Sequence, residues 1–181
     1  FGLRDKRGIG QVYTNLANLE CTMGHTNKAK NYFEVAISHF KKAGRPVGEG
    51  FALIGLSSVS SRYDRAEEAL EYLDQADQLF FMSGDLRGQG WVEHNKGVAH
   101  RRDEKPNLAL EHYNKALEIF TQVEDSRGAG YATLGKGQCE EDIETAVKNF
   151  KEAMRGFRAI RDFEGEQRAK TKLSTLMASQ S

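Results

Sequence analysis

Gly8, Gly48, Gly88 and Gly128 stand forty residues apart, and Gly165 follows after thirty-seven. Ala29, Ala69, Ala109 and Ala146 keep the same interval, as do Phe40, Phe80, Phe120 and Phe157. A fixed period of this size means stacked supersecondary units, each in contact with its neighbours, in place of one closed core. The 181 residues therefore hold about four and a half units. Such a chain presents surfaces to partners more readily than it builds a reaction centre.

Within one unit, Val12, Tyr13, Leu16, Ala17 and Leu19 have helical spacing, and Gly24-His25-Thr26-Asn27 interrupts it. A second apolar face follows at Ala29, Phe33, Ala36, Ile37 and Phe40, and Ala43-Gly44-Arg45-Pro46 ends that one. Each unit is thus two antiparallel helices. With only two prolines in the chain, long helices are favoured. The small residues Ala29/Ala36, Ala69/Ala76, Ala109/Ala116 and Ala146/Ala153 let helix axes approach, with Phe33, Leu73, Tyr113 and Phe150 filling the space beside them. Asp5, Asp85, Asp125 and Asp162 each precede a marker glycine by three residues, where a carboxylate caps a helix start; Arg45-Pro46 replaces the pattern once.

The order Tyr13, Leu16, Ala17, Gly24, Ala29, Phe33, Ala36 resembles the tetratricopeptide repeat motif. The forty-residue unit and the marker Arg-Gly-x-Gly (Arg7–Gly10, Arg87–Gly90, Arg127–Gly130) are similar to the long-repeat subclass, which includes Pins/LGN polarity adaptors and the sensor arrays of signal-transduction ATPases. The resemblance implies an all-α solenoid, a right-handed superhelix of antiparallel helix pairs. The expected organisation is a tail of a truncated upstream repeat over 1–7, repeats over 8–47, 48–87, 88–127 and 128–164, and a terminal capping helix over 165–181. Lys96 and Lys136 replace an expected leucine, which predicts rotated or looser first helices. Three residues missing between Cys139 and Ile143 predict a shortened turn inside the fourth unit.

The resemblance also implies that the first helices line a concave groove, with motif positions two, five, nine and twelve exposed. In this chain those positions are Gln11, Thr14, Asn18 and Cys21, then Phe51, Ile54, Ser58 and Ser61, then Trp91, His94, Val98 and Arg101. Tyr131, Leu134 and Gln138 follow, with Arg168, Thr171 and Thr175 on the terminal helix. Phe51, Trp91 and Tyr131 form a column with two readings: anchors for a bound segment, Trp91 first among them, or rings packed against the preceding unit. Arg62, His94, Arg101 and Arg102 suggest a basic inner rim selecting acidic side chains or phosphates, although an arginine at a turn, Arg102 above all, is commonly just solvated. Asn15 and Asn18 match part of a chaperone-tail carboxylate clamp, but Thr14, Ile54 and Arg62 do not complete it.

Chemistry is sparse. No histidines form an i, i+4 metal pair and no Cys-x-x-Cys occurs, so neither a metal nor another cofactor is expected. Gly8-Ile9-Gly10 lacks the strand and the Gly-Lys-Ser/Thr of a phosphate loop, and its recurrence makes it structural. Cys139 has anionic neighbours in Glu140 and Glu141 that would raise its pKa. No enzyme is expected. Twenty-six basic residues balance twenty-six acidic ones, which argues against a general polyanion binder. Cys21 and Cys139 lie far apart and read as reduced thiols of a cytoplasmic protein without a membrane span. The leading expectation is an adaptor that binds a protein or peptide segment in the groove. The alternatives are single-stranded RNA or nucleic-acid binding by aromatic stacking and arginines, and self-association through the ends of the array.

Overall fold

The structure, a computed structural model, describes residues 6–63 and 65–179. The expectations for Phe1–Asp5, the Asp5 cap included, lie outside the described residues. Those described form α1 (Lys6–Thr22), α2 (Thr26–Lys42), α3 (Pro46–Ser61), α4 (Ala66–Ser83), α5 (Leu86–Arg102), α6 (Pro106–Gln122), α7 (Ser126–Gly137), α8 (Ile143–Ala159) and α9 (Phe163–Ala178), with no strand among them. Each marker glycine is the third residue of an odd-numbered helix. Among the described residues, α1, α3, α5, α7 and α9 touch one another in succession, whereas α2, α4, α6 and α8 touch only helices adjacent in sequence. Close inner helices and splayed outer ones make a curved array, concave on the odd-numbered side.

The glycine pairs explain the stacking. Phe40 lies between Gly10 and Gly48, Phe80 between Gly50 and Gly88, Phe120 between Gly90 and Gly128, and Phe157 between Gly130 and Gly165. A Cβ on Gly88 would sit 2.3 Å from Phe80 Cδ1, and one on Gly128 2.4 Å from Phe120 Cδ1. Each phenylalanine from an outer helix thus enters a slot made by its own inner helix and the next one. All four rings are buried, none more than 2% exposed. Gly8 differs: among the described residues nothing lies within 4 Å of a Cβ built there. The outward stripe of α1 shows the same break in the pattern. Val12 and Leu19 are 56% and 54% exposed, while their counterparts Ala52 and Val59 are buried against α2.

Asp85, Asp125 and Asp162 cap α5, α7 and α9, each carboxylate accepting from the N–H of Gly88, Gly128 or Gly165 at 2.9 Å. Two caps also join units: Arg87 Nε meets Asp125 at 2.7 Å and Arg127 Nε meets Asp162 at 2.8 Å. Val47 takes the arginine position in the second unit, leaving Asp85 without this cation. At the opposite ends of the inner helices, Arg62 Nη1 donates to Cys21 O at 3.0 Å and Arg102 Nη1 to Ser61 O at 3.5 Å. These arginines are forty apart and hold carbonyls forty apart. Arg102 is therefore a link between helices as well as an exposed side chain.

Burial alone would raise the Asp125 pKa, but the Gly128 N–H and the Arg87 guanidinium outweigh it and hold the carboxyl below the usual range. A depressed carboxylate contributes stability above its unfolded pKa of about 3.9, lost as pH falls through the lower folded value. Asp125→Ala is therefore expected to cost about 1–2 kcal/mol at pH 7. In urea melts that difference should shrink steadily below about pH 4.

Two local expectations are corrected. The fourth unit does not have a shortened turn: α7 spans 12 residues against 17 in α5, and the connection Gln138–Asp142 is longer than the three-residue one after α5. The missing residues came out of the helix, because Asp142 caps α8 through the Thr145 N–H at 2.8 Å and fixes where that helix begins. Nor is α5 loosened at Lys96. The side chain extends along the surface to Asp74 of α4 at 2.7 Å, keeping its apolar stem in the interface.

Candidate functional site

The inner face opens into two cavities. The first, of about 530 Å³, lies between α1 and α3; Gln11, Thr14, Asn18, Phe51, Ile54, Ser58 and Arg62 line it. The second, of about 480 Å³, lies among α5, α7 and α9, and His94, Arg101, Tyr131, Leu134, Gln138 and Arg168 line it. Of the candidate groove residues Ser61, Trp91 and Thr175 line neither, and Ser61 is buried instead of exposed. Thr14 and Leu134 are buried in the cavity walls, 9% and 5% exposed, in place of the open exposure expected. The buried Thr14 hydroxyl is satisfied within its own helix, donating to Gly10 O at 2.9 Å.

The floors of both cavities come from outer helices, which sequence reading did not assign to the groove. Phe33 of α2 reaches past Gly55, where a Cβ would sit 2.2 Å from its ring. Tyr113 of α6 is held between Gly97 and Gly135, at 2.8 and 2.5 Å by the same measure. Glycines inside the inner helices, away from the marker positions, are the signal that could have revealed these notches.

The aromatic column has a definite geometry. Phe51, Trp91 and Tyr131 each meet the phenylalanine of their own unit's outer helix, Phe80, Phe120 and Phe157, at centroid distances of 5.0, 5.1 and 4.9 Å. All three contacts are edge-on. Each ring thus packs within its own unit, and Tyr131 in addition meets Trp91 of the preceding one. Trp91 also approaches Tyr131 at 6.0 Å and His94 at 5.6 Å. Phe51 remains 37% exposed and Trp91 and Tyr131 are half-buried, so the column is partly packed and partly open to the groove.

The cavities differ electrostatically. In the first, polar side chains are already engaged: Thr14 with Gly10 O, Ser58 with Ile54 O at 3.1 Å, and Arg62 with Cys21 O. In the second, His94 Nδ1 and Arg101 Nε are enclosed and lack a hydrogen-bond partner. Burial, with the nearby Arg101 charge assisting, pushes the His94 pKa down to about 4, leaving the ring neutral near pH 7. Burial likewise pushes the Tyr113 phenol up to about 12 despite Arg101 beside it. Arg168 pairs with Glu164 at 2.5 Å and stands over the Tyr131 ring at 5.9 Å. The Cys139 thiol is raised to about 11 chiefly by burial, with Glu140 a smaller contributor than the sequence suggested.

Among the described residues, no three His, Cys, Asp or Glu side chains gather as a metal set, and no helix is long and apolar enough to cross a membrane. Both cysteines are free thiols.

Comparison with known proteins agrees with this architecture. Residues 88–159 match the tetratricopeptide repeat family model. No curated protein matches the sequence significantly. Among solved structures, a Rap protein complexed with Competence and Sporulation Factor is similar at a TM-score of 0.82 and 18% identity, covering 93% of this chain and 48% of that one. Aspartyl phosphate phosphatase F from Bacillus subtilis is similar at 0.78 and 12% identity, covering 93% and 45%. A signal transduction ATPase with numerous domains and a tetratricopeptide repeat sensor, from Pyrococcus horikoshii, is similar at 0.64 and 16%, covering 97% and 28%. This chain spans about half the length of the first two of these proteins. The helix pairs and the fold shared along nearly the whole chain show a tetratricopeptide-like α-solenoid.

Proposed function

We propose that the chain is a non-catalytic, cytoplasmic adaptor holding an extended segment of a protein partner along its concave face. The observation that carries this reading is the pair of cavities on the inner helices, whose walls collect nearly every candidate groove residue. Each cavity has room for one or two side chains, and the half-open rings beside them supply apolar contact area. The Rap relative solved with a bound factor, and the neighbour whose repeats are described as a sensor, support a role in holding partners. The exposed α1 stripe also leaves a surface for self-association.

The test is a selection of displayed random heptapeptides on the wild-type chain, followed by binding to three variants. Asn18→Trp and Thr171→Trp fill one cavity each from exposed positions, and Glu111→Trp alters the exposed outer face. Exposed replacements of this kind disturb stability by about 0.5 kcal/mol at most. Selected peptides should bind at least about tenfold more weakly when the groove is filled, as expected for loss of a buried anchor, and should ignore Glu111→Trp. Loss on the outer-face variant alone would overturn the groove reading.

A further inference from the structure

We infer that the cavity among α5, α7 and α9 is a seat for a single carboxylate, carried on a short apolar stem by the segment lying in the groove. This inference rests on the groove reading and adds the chemistry of the ligand.

The argument begins with unmet hydrogen bonds. Enclosed polar groups are ordinarily paired, and each exception calls for an explanation. Two of the exceptions in this chain, His94 Nδ1 and Arg101 Nε, line the same cavity. Arg101 forms no ion pair with any carboxylate among the described residues, whereas the nearby Arg168 is matched by Glu164. The cavity therefore contains a half-buried guanidinium whose enclosed Nε–H meets no acceptor, while the rest of the group lies against the Tyr113 phenol. A guanidinium N–H bonds most strongly to a carboxylate or phosphate oxygen.

Size and lining favour the carboxylate. Val98, Leu134 and the Tyr113 and Tyr131 rings form an apolar wall suited to methylene groups. Lys172 adds a second cation at the cavity, while Glu164 is already taken by Arg168. Neutral His94 can donate from Nδ1 to the second oxygen, since its tautomer follows the hydrogen bond it makes. The first cavity offers no such seat, because Arg62 there is held by Cys21 O. Selection for acid should therefore be confined to one end of the groove.

The test uses pools of acetylated, amidated pentapeptides, randomised at four positions with a fixed centre of Glu, Asp, Gln or Lys. Retention on the immobilised chain is compared with retention on heat-unfolded chain. A further pool has Gln at the centre and a free C-terminal carboxylate. The Glu or Asp pool should be retained at least about tenfold over the Gln pool, since truncating one partner of a desolvated charge pair costs more than that factor. Equal preference for the free-acid pool would assign the carboxylate to a chain terminus, with the seat unchanged. Arg101→Gln should erase the acid preference, so that Glu and Gln pools are retained alike, and Glu111→Gln on the exposed outer face should leave the preference in place. Bound acid should also raise the His94 pKa, read by imidazole NMR. If Glu and Gln pools were retained equally, the carboxylate seat would be wrong and the groove would stand. If no pool exceeded the unfolded control, both readings would fall together.

Discussion

Gly88→Ala should destabilise the chain by about 2 kcal/mol, whereas Gly156→Ala should stabilise it by about 0.5–1 kcal/mol. The chemical change is the same and the sign differs because of what waits at each Cβ. At Gly88 the methyl would sit 2.3 Å from Cδ1 and 2.5 Å from Cγ of Phe80, a ring with no exposed surface and no direction in which to yield. Overpacking of that kind costs about 1–3 kcal/mol or somewhat more, against a helix-propensity gain of nearly 1. At Gly156, in the interior of α8, nothing lies within 4 Å, so only the propensity gain remains. Gly8 sharpens the comparison, for it occupies the same motif position as Gly88 without a ring beside it. Gly8→Ala should be neutral or mildly stabilising. Urea melts of the three variants check the assignment, and a comparable loss at Gly8 would refute the slot as the reason for the marker.

Lowering the pH from 7 to 4 should remove roughly 3 kcal/mol of stability through His94 alone. Its pKa falls from 6.5 to about 4, mainly by burial and secondarily by Arg101. In that window the unfolded chain binds a proton that the folded chain refuses, so stability must rise with pH there. The ring faces Trp91 at 5.6 Å, Tyr113 at 5.5 Å and Tyr131 at 6.4 Å, with Arg101 the near cation and, among the described residues, no carboxylate paired with it to receive a new positive charge. The His100 pKa is also lowered, by burial and by the stacked His112 ring 5.1 Å away. The measurement is therefore a difference. His94→Gln should flatten the stability curve between about pH 6.5 and 4 by nearly one proton, as read from urea melts. An unchanged slope would mean that the imidazole titrates freely and that the cavity is wetter than its enclosed Nδ1 implies.

The sequence revealed the helix pairs and inner stripe because both depend on local periodicity, which a forty-residue repeat prints several times over. The Asp85, Asp125 and Asp162 caps were legible for the same reason, since a carboxylate three residues ahead of a helical N–H has a local task. The reason for two glycines per unit was not. Each marker glycine answers to a ring eight residues earlier and its partner glycine to a ring about thirty residues later, as Gly88 and Gly50 both answer to Phe80, and periodicity alone assigns no such pairing. Tyr113 escaped notice because it was counted as filler between outer helices. Only three-dimensional structure shows it passing through the gap between Gly97 and Gly135 into the groove. Arg62 was read as part of a basic rim, but its hydrogen bond to Cys21 O couples two inner helices across 41 residues of sequence.

Those couplings bear on how the array can bend. The links from Arg62 and Arg102 fasten the ends of the inner helices over the first three units, along one rim of the groove. The links from Arg87 and Arg127 fasten helix starts over the last three, along the opposite rim. The two halves resemble doors hung on opposite jambs. A guest entering the trough would open each half toward its unfastened side, so the array would wring about its long axis in preference to widening evenly. The fourth unit, with its shortened α7, lies within the later half, where this torsion meets the least helix to resist it.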